Sequence, residues 1–241
     1  MKCLSAIILA AATIGFVAHT ARAQQITWSG YDWTVRTGAG GPGNNVWNKD
    51  NVQVDGTGTL HLKISNAGRV WSCAEIYTNQ KFGYGTYQFF VTGAIDQLDK
   101  NVVLGLFSYP TADVGPDGTN EIDIEMSRWG NPSTPMGSYT VYPNTLTAQN
   151  VSQVYAFRLL HNLDTTQRYT WKEGSIAFQS LHGHTNGNTR EYSAWSTPRS
   201  FSKLVGSQAM PVHLNLWLFQ SNPPSDSKPV EVLIKAFKFA P

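Results

Sequence analysis

The chain has 241 residues, with 18 Lys and Arg against 16 Asp and Glu, 12% aromatics and two cysteines. Its first 23 residues read as an export signal: Lys2 precedes an apolar run from Leu4 to Ala18 that is too short for a membrane span, and "ARA" before Gln24 is a small-x-small cleavage site. Cleavage after Ala23 takes Lys2, Arg22 and Cys3 away, leaving 218 residues, 16 cations against 16 anions and a single Cys73, which excludes a basic surface for nucleic acid or anionic membrane and any intramolecular disulfide.

In chain order, "TGAGGPGNN" (37–45) satisfies a G-x-G-x-x-G spacing through Gly38, Gly40 and Gly43, but no helix opens after it to hold a phosphate, so it reads as a loop. "TLHLKIS" (59–65) turns Leu60, Leu62 and Ile64 to one side, the alternation of a half-buried strand. Cys73 has no nucleophile pattern around it and reads as a small buried side chain. In "CAEIYTN" (73–79), Glu75, Tyr77 and Asn79 share a face opposite Ala74, Ile76 and Thr78. "YGTYQFFVTG" (84–93) and "NVVLGLFSY" (101–109) are further strands, the second nearly continuously apolar. "PTADVGPDGTN" (110–120) is a turn cluster, and it lacks the oxygen ligands at the positions a calcium loop needs. Strands are expected at 154–160, 175–181, 212–220 and 230–239, with "SNPPSDSK" (221–228) as a turn, and no amphipathic helix follows residue 23. Many short strands without a linker predict one all-β domain over 24–241, two antiparallel sheets packed as a sandwich.

"NEIDIEM" (120–126) sets Glu121, Asp123 and Glu125 on one face of a strand and Ile122, Ile124 and Met126 on the other. Three readings compete: a solvated acidic face, a metal cluster and a catalytic pair. Acids in a row on one strand do not converge as metal ligands do. The apolar run at 101–109 suggests a central strand, where unpaired charge is costly. Glu121 and Glu125 have backbones about 13 Å apart, and their side chains can close that gap toward the roughly 5 Å that separates the two carboxyls of a retaining glycosidase. Asp123 between them can hydrogen-bond the ionised partner and raise its neighbours' proton affinity. In "VHLNLWLFQ" (212–220), His213, Asn215, Trp217 and Phe219 share a face, an amide beside an indole being suited to hydroxyls and a pyranose face.

"EIDIE" (121–125), "AEIYTNQKFGYGTYQF" (74–89), "YTWKEGSIAFQS" (169–180) and "LNLW" (214–217), in that combination, resemble the motifs of glycoside hydrolase family 16. The resemblance implies a β-jelly-roll with an open cleft and retaining endo-hydrolysis of β-glucan, with Glu121 as nucleophile, Asp123 assisting and Glu125 as acid/base. The ungapped E-x-D-x-E is similar to the licheninases, which act on mixed β-1,3-1,4-glucan, and to xyloglucan-active members. By position it suggests Glu75, Tyr77, Trp129, Asn215 and Trp217 as sugar contacts, with Tyr139 and Tyr142 as further cleft residues. The licheninase "YRT" arginine is replaced by Tyr77, its cysteine pair is absent, and "SRWG" (127–130) stands in place of "FLG". No cofactor is expected; a structural calcium occurs in some relatives, but no ligand set is evident here. A secreted monomer with a polysaccharide substrate is expected. The alternatives are the same fold acting on laminarin, xyloglucan or a galactan, a transglycosylase, and a non-catalytic lectin.

Overall fold

The computed structural model describes residues 24–160 and 162–241; the expected export signal, residues 1–23, lies outside the described residues. Two large antiparallel sheets pack face to face as a β-jelly-roll sandwich. The first sheet runs in the order Gln25–Trp28, Tyr31–Val35, Ala74–Thr78, Val212–Leu218, Val102–Ser108, Ile122–Met126, Gly137–Val141, Val151–Tyr155. The second runs Glu191–Ser196, Ser175–His182, Asp164–Lys172, Gly85–Thr92, Val230–Ala240, Leu60–Ala67, Val52–Val54, with Val70–Ser72 attached to Leu60–Ala67. Outside the sheets the described helices are three short 3-10 turns, Lys49–Asn51, Arg199–Leu204 and Phe219–Ser221.

Period-two alternation decides which side chains fill the space between the sheets. Leu60, Leu62 and Ile64 are fully buried, as are Ile124, Met126, Leu214 and Leu216 from the opposing sheet. Aromatic rings complete the layer: Tyr87 stacks on Tyr169 at 4.4 Å between centroids, and Phe89 on Phe237 at 5.1 Å. The polar atoms drawn into this layer are paired across it. Ser108 and Tyr169 hydroxyls lie 2.6 Å apart, and Tyr139 and Ser180 hydroxyls 2.7 Å apart, each linking one sheet to the other. Cys73 is fully buried, and burial pushes its thiol up to about 12, so it stays protonated and packs as a small apolar group.

One strand expectation shifts. The apolar stretch at 154–160 contributes only its first residues to a strand, Val151–Tyr155, and then leaves the sheet; Leu160 is half exposed. That strand forms the edge of the first sheet, with one neighbour only, so nothing on its far side holds the following residues extended.

Because Ile122–Met126 has Val102–Ser108 on one side and Gly137–Val141 on the other, the acidic strand is interior to its sheet. Its apolar face enters the core, and its acidic face therefore becomes the floor of the opposite, open surface.

Candidate active site

On that open face the strand register aligns side chains in rows. Glu75 pairs across to Asn215, Asn215 to Gly105, Gly105 to Glu125 and Glu125 to Ser138. The adjacent row runs Tyr77, His213, Phe107, Asp123, Thr140. From these rows Glu75, Asn215, Glu125, Tyr77, His213, Phe107 and Asp123, together with Glu121, Tyr142, Trp217 and Trp129, line one cleft of about 660 Å³. Glu121 precedes the strand proper; its carbonyl accepts from the Tyr142 amide at 2.9 Å, which fixes it on the cleft side. Thus Glu121, Asp123, Glu125, Glu75, Tyr77, Trp129, Tyr142, Asn215 and Trp217 all reach the cleft.

Tyr139 does not. It pairs with Ile124, shares that residue's parity, and is fully buried in the inter-sheet core with its hydroxyl on Ser180. The strand Gly137–Val141 turns Ser138 and Thr140, not Tyr139, to the open face. Asn79 is also drawn away, toward Thr34 and Gln25 at the sheet's end.

The three carboxyls form one electrostatic unit. Burial, and then the neighbouring Glu125, push Glu121 up to about 8, against a lowering by the hydrogen bond from Asp123. Burial raises Asp123 well above the usual carboxylate range, with Glu121 and Glu125 adding to it. Burial alone lifts Glu125 to about 7. The cluster therefore holds protons at neutral pH, and Asp123 donates one of them to Glu121.

This proton retention has a stability consequence with a definite sign. The native state keeps protons that the unfolded chain releases near 4.5, so stability is full below that pH and falls as pH rises toward about 7 and 8. Glu125→Gln cannot ionise. It is expected to raise the melting temperature little at pH 5 and clearly at pH 8, with a gain of about 3 kcal/mol at most for a shift of this size. Thermal melts of both proteins across that range check it; a gain independent of pH would mean the carboxyl is not strained.

Asn215 and Gly105 sit together for a steric reason. A Cβ at Gly105 would collide with Asn215 Oδ1 and lie 3.3 Å from the Phe107 ring. Asn215 is 4% exposed, and its buried Oδ1 has no hydrogen-bond partner, so an unpaired acceptor is packed against Gly105 beneath the cleft. Gly105→Ala is expected to displace this amide, raising KM about tenfold or more and costing about 1–3 kcal/mol of stability through overpacking. Steady-state kinetics and a thermal melt on the variant read both effects.

Aromatic walls close the Glu125 side. Trp129 meets Trp217 and Phe219 edge to face, at 6.3 and 5.6 Å between centroids. Trp129 is held at φ +51, a left-handed conformation costly for a bulky residue. The Gly130 amide donates to the Lys100 carbonyl at 2.8 Å and the Trp129 amide to Ser127 Oγ at 3.0 Å, which pins the turn.

Sequence reasoning did not single out Arg36, Phe107, Tyr109 or Asp117, all of which line the cleft. Tyr109 donates its hydroxyl proton to Asp117, tying the 110–120 turn to the rim. His213 was legible only as a face-mate of Asn215 and Trp217. Phe107 lies in a strand apolar on both faces, so alternation gave no signal there, and Arg36 follows a strand with no motif. Among the described residues no group of three His, Cys, Asp or Glu side chains converges in a metal-binding arrangement.

Fold and cleft together define an open-faced jelly-roll whose floor carries three carboxyls on one interior strand. No family model matches the sequence, and no curated protein matches it. Among solved structures the chain is similar to a Bacillus licheniformis β-glucanase, with a TM-score of 0.64 at 19% identity, covering 87% of this chain and 92% of that one. It is similar to a prokaryotic β-1,3-1,4-glucanase (lichenase) derived from a mouse hindgut metagenome, with a TM-score of 0.63 at 21% identity, covering 87% and 92%. A third is a glycoside hydrolase family 16 endo-glucanase from Bacteroides ovatus, in complex with G4G3G-2F-DNP, with a TM-score of 0.63 at 15% identity over 86% and 94%. At these identities the likeness establishes the shared fold.

Proposed function

We propose that this chain is a retaining endo-glycosidase of the family 16 type that hydrolyses β-glucan, with mixed β-1,3-1,4-glucan as its substrate, and that it works outside the cell after loss of residues 1–23. The observation that carries the reading is the run of three carboxyls, Glu121, Asp123 and Glu125, that one interior strand and its margin set on the floor of an open cleft. A cleft open to solvent fits a polymer bound along its length, and the aromatic and amide groups beside the acids suit pyranose faces and hydroxyls. The neighbours of like fold are themselves described as glucanases.

In the first step Glu121 attacks the anomeric carbon, forming a glycosyl ester as the glycosidic C–O bond breaks, and protonated Glu125 gives its proton to the leaving oxygen. In the second step Glu125 takes a proton from water, the hydroxide oxygen attacks the same carbon, and Glu121 leaves as carboxylate. Asp123, protonated and hydrogen-bonded to Glu121, places the cluster's negative charge on the nucleophile and leaves the remaining proton with Glu125. Water is the sole co-reactant, so no cofactor is needed.

The test is reducing-end release from mixed-linkage glucan, laminarin, xyloglucan and agarose, with the product anomer followed by NMR in the first minutes. Release from mixed-linkage glucan with retained configuration is the expected result. Release from another polymer alone reassigns the substrate; binding without release from any of them moves the chain to the lectin reading.

A further inference from the structure

One buried acid in the cleft is left over by this chemistry. Glu75 is 4% exposed and lies across Asn215 and Gly105 from Glu125, in the same row. Both of its carboxylate oxygens are engaged, on opposite sides. Arg36 Nη1 donates to Oε2 at 2.8 Å, and His213 Nδ1 lies 3.0 Å from Oε1. An ionised carboxylate only accepts, so the His213 proton sits on Nδ1 and Nε2 is left toward the cleft.

Each partner is itself held in place. The Arg36 guanidinium lies 4.4 Å above the centroid of the buried Trp47 ring, and the Arg36 amide donates to the Glu75 carbonyl at 2.9 Å. The His213 ring stacks on Tyr77 at 5.2 Å and 20°, and meets Phe107 at 5.0 Å and Tyr109 at 5.7 Å. Four strands of the sheet thus converge on the orientation of a single carboxylate. The cation facing Glu75 comes from Arg36, which directly follows the strand Tyr31–Val35.

We propose that Arg36 and His213 are positioning residues that clamp Glu75 as a fixed, ionised acceptor for sugar hydroxyls, and so make this part of the cleft select unsubstituted, neutral glycan. The inference rests on the glycosidase reading for its kinetic consequences, not for the clamp itself.

The electrostatics follow from the geometry. Burial opposes the Glu75 charge, and His213 and then Arg36 outweigh it, holding the carboxyl below its ordinary range. The other ionisable groups facing it are Tyr77 on its own strand, Tyr109 from the neighbouring sheet strand's end, and Glu121, whose proton affinity Glu75 raises. One cleft thereby contains an acid kept ionised beside a cluster of three whose proton affinity is raised, the separation that divides binding from proton-transfer roles. A fixed, ionised acceptor calls for a ligand donor; an O-sulfated or O-acylated sugar presents none there and would set acceptor against acceptor.

The experiment follows the Glu75 side-chain carboxyl by 13C NMR against pH in the wild type, His213→Phe and His213→Asn. Phe keeps the stacking and removes the donor; Asn restores a donor near the Nδ1 position. His213→Phe is expected to move the Glu75 titration upward by about one unit or more, with His213→Asn close to wild type. On glucan, His213→Phe is expected to raise KM about tenfold with kcat within about threefold, and Asn to recover most of the loss. Should His213→Phe not fold, Arg36→Met, which keeps the stem over Trp47, gives the same readout. An unchanged Glu75 titration, or a loss in Asn equal to that in Phe, overturns the clamp. A shifted titration in a protein that cleaves no glucan leaves the clamp standing and defeats the glycosidase reading instead.

Discussion

Replacing Glu121 by alanine is expected to lower turnover on glucan by about 10⁴-fold or more, the scale on which losing a nucleophile acts in enzymes that form covalent intermediates. The fold is expected to survive. Glu121 lies at the margin of its strand, half-buried at the cleft rather than in the inter-sheet core, and its removal relieves a crowded acid cluster. The variant leaves a cavity beside the anomeric carbon, so added azide or formate is expected to restore cleavage of an activated aryl glycoside and, with azide, to give the inverted glycosyl azide. Circular dichroism, a thermal melt and product NMR read these outcomes together. Full activity in a folded Glu121→Ala protein would remove Glu121 from the nucleophile's place.

Glu125→Ala is expected to separate substrates by their leaving groups. Protonating the leaving oxygen is worth about 10²- to 10⁴-fold, and that help is lost for a natural glucan, whose leaving alcohol is a poor one. A dinitrophenyl glycoside departs without a proton, so its glycosylation step is expected to fall far less. The breakdown of the glycosyl ester, which needs the same residue as base, then becomes slowest, and a burst of dinitrophenol precedes a slow steady state. Equal losses on both substrates would count against Glu125 as the acid. Under the proposed mechanism, the affinity for its proton that burial gives Glu125 matches what this step asks of an acid near neutral pH.

The acid cluster and the Glu75 clamp show how one surface runs two kinds of carboxyl. Glu121, Asp123 and Glu125 face one another on a single strand, with no described salt bridge to any of them, and their charges are suppressed. Glu75, as deeply buried as Asp123, is met by a guanidinium and an imidazole and stays charged. Burial is common to both; the neighbours decide the sign.

Much of this was legible in one dimension. The alternation in "EIDIEM", "TLHLKIS" and "VHLNLWL" assigned faces, because a strand's side chains alternate whatever lies around it, and every apolar member of these sets is buried. Gathering Glu121, Asp123 and Glu125 on one face needed nothing but that parity. Tyr139 shows the limit of motif position without parity: one residue's offset puts a ring in the core instead of the cleft. Residues 156–160 show another, since an apolar run cannot say whether a neighbour strand exists to hold it extended.

A β-sandwich and an acidic face could be read from the residues in order, since local periodicity and the cost of burying charge act within a single segment. The tertiary structure alone decided that Arg36, Glu75 and His213 meet, that Gly105 must lack a side chain so that Asn215 can lie over it, and that Tyr109 and Asp117 tie down the rim. These contacts join strands distant in sequence. Register across a sheet, which no single strand encodes, sets which side chains stand opposite one another.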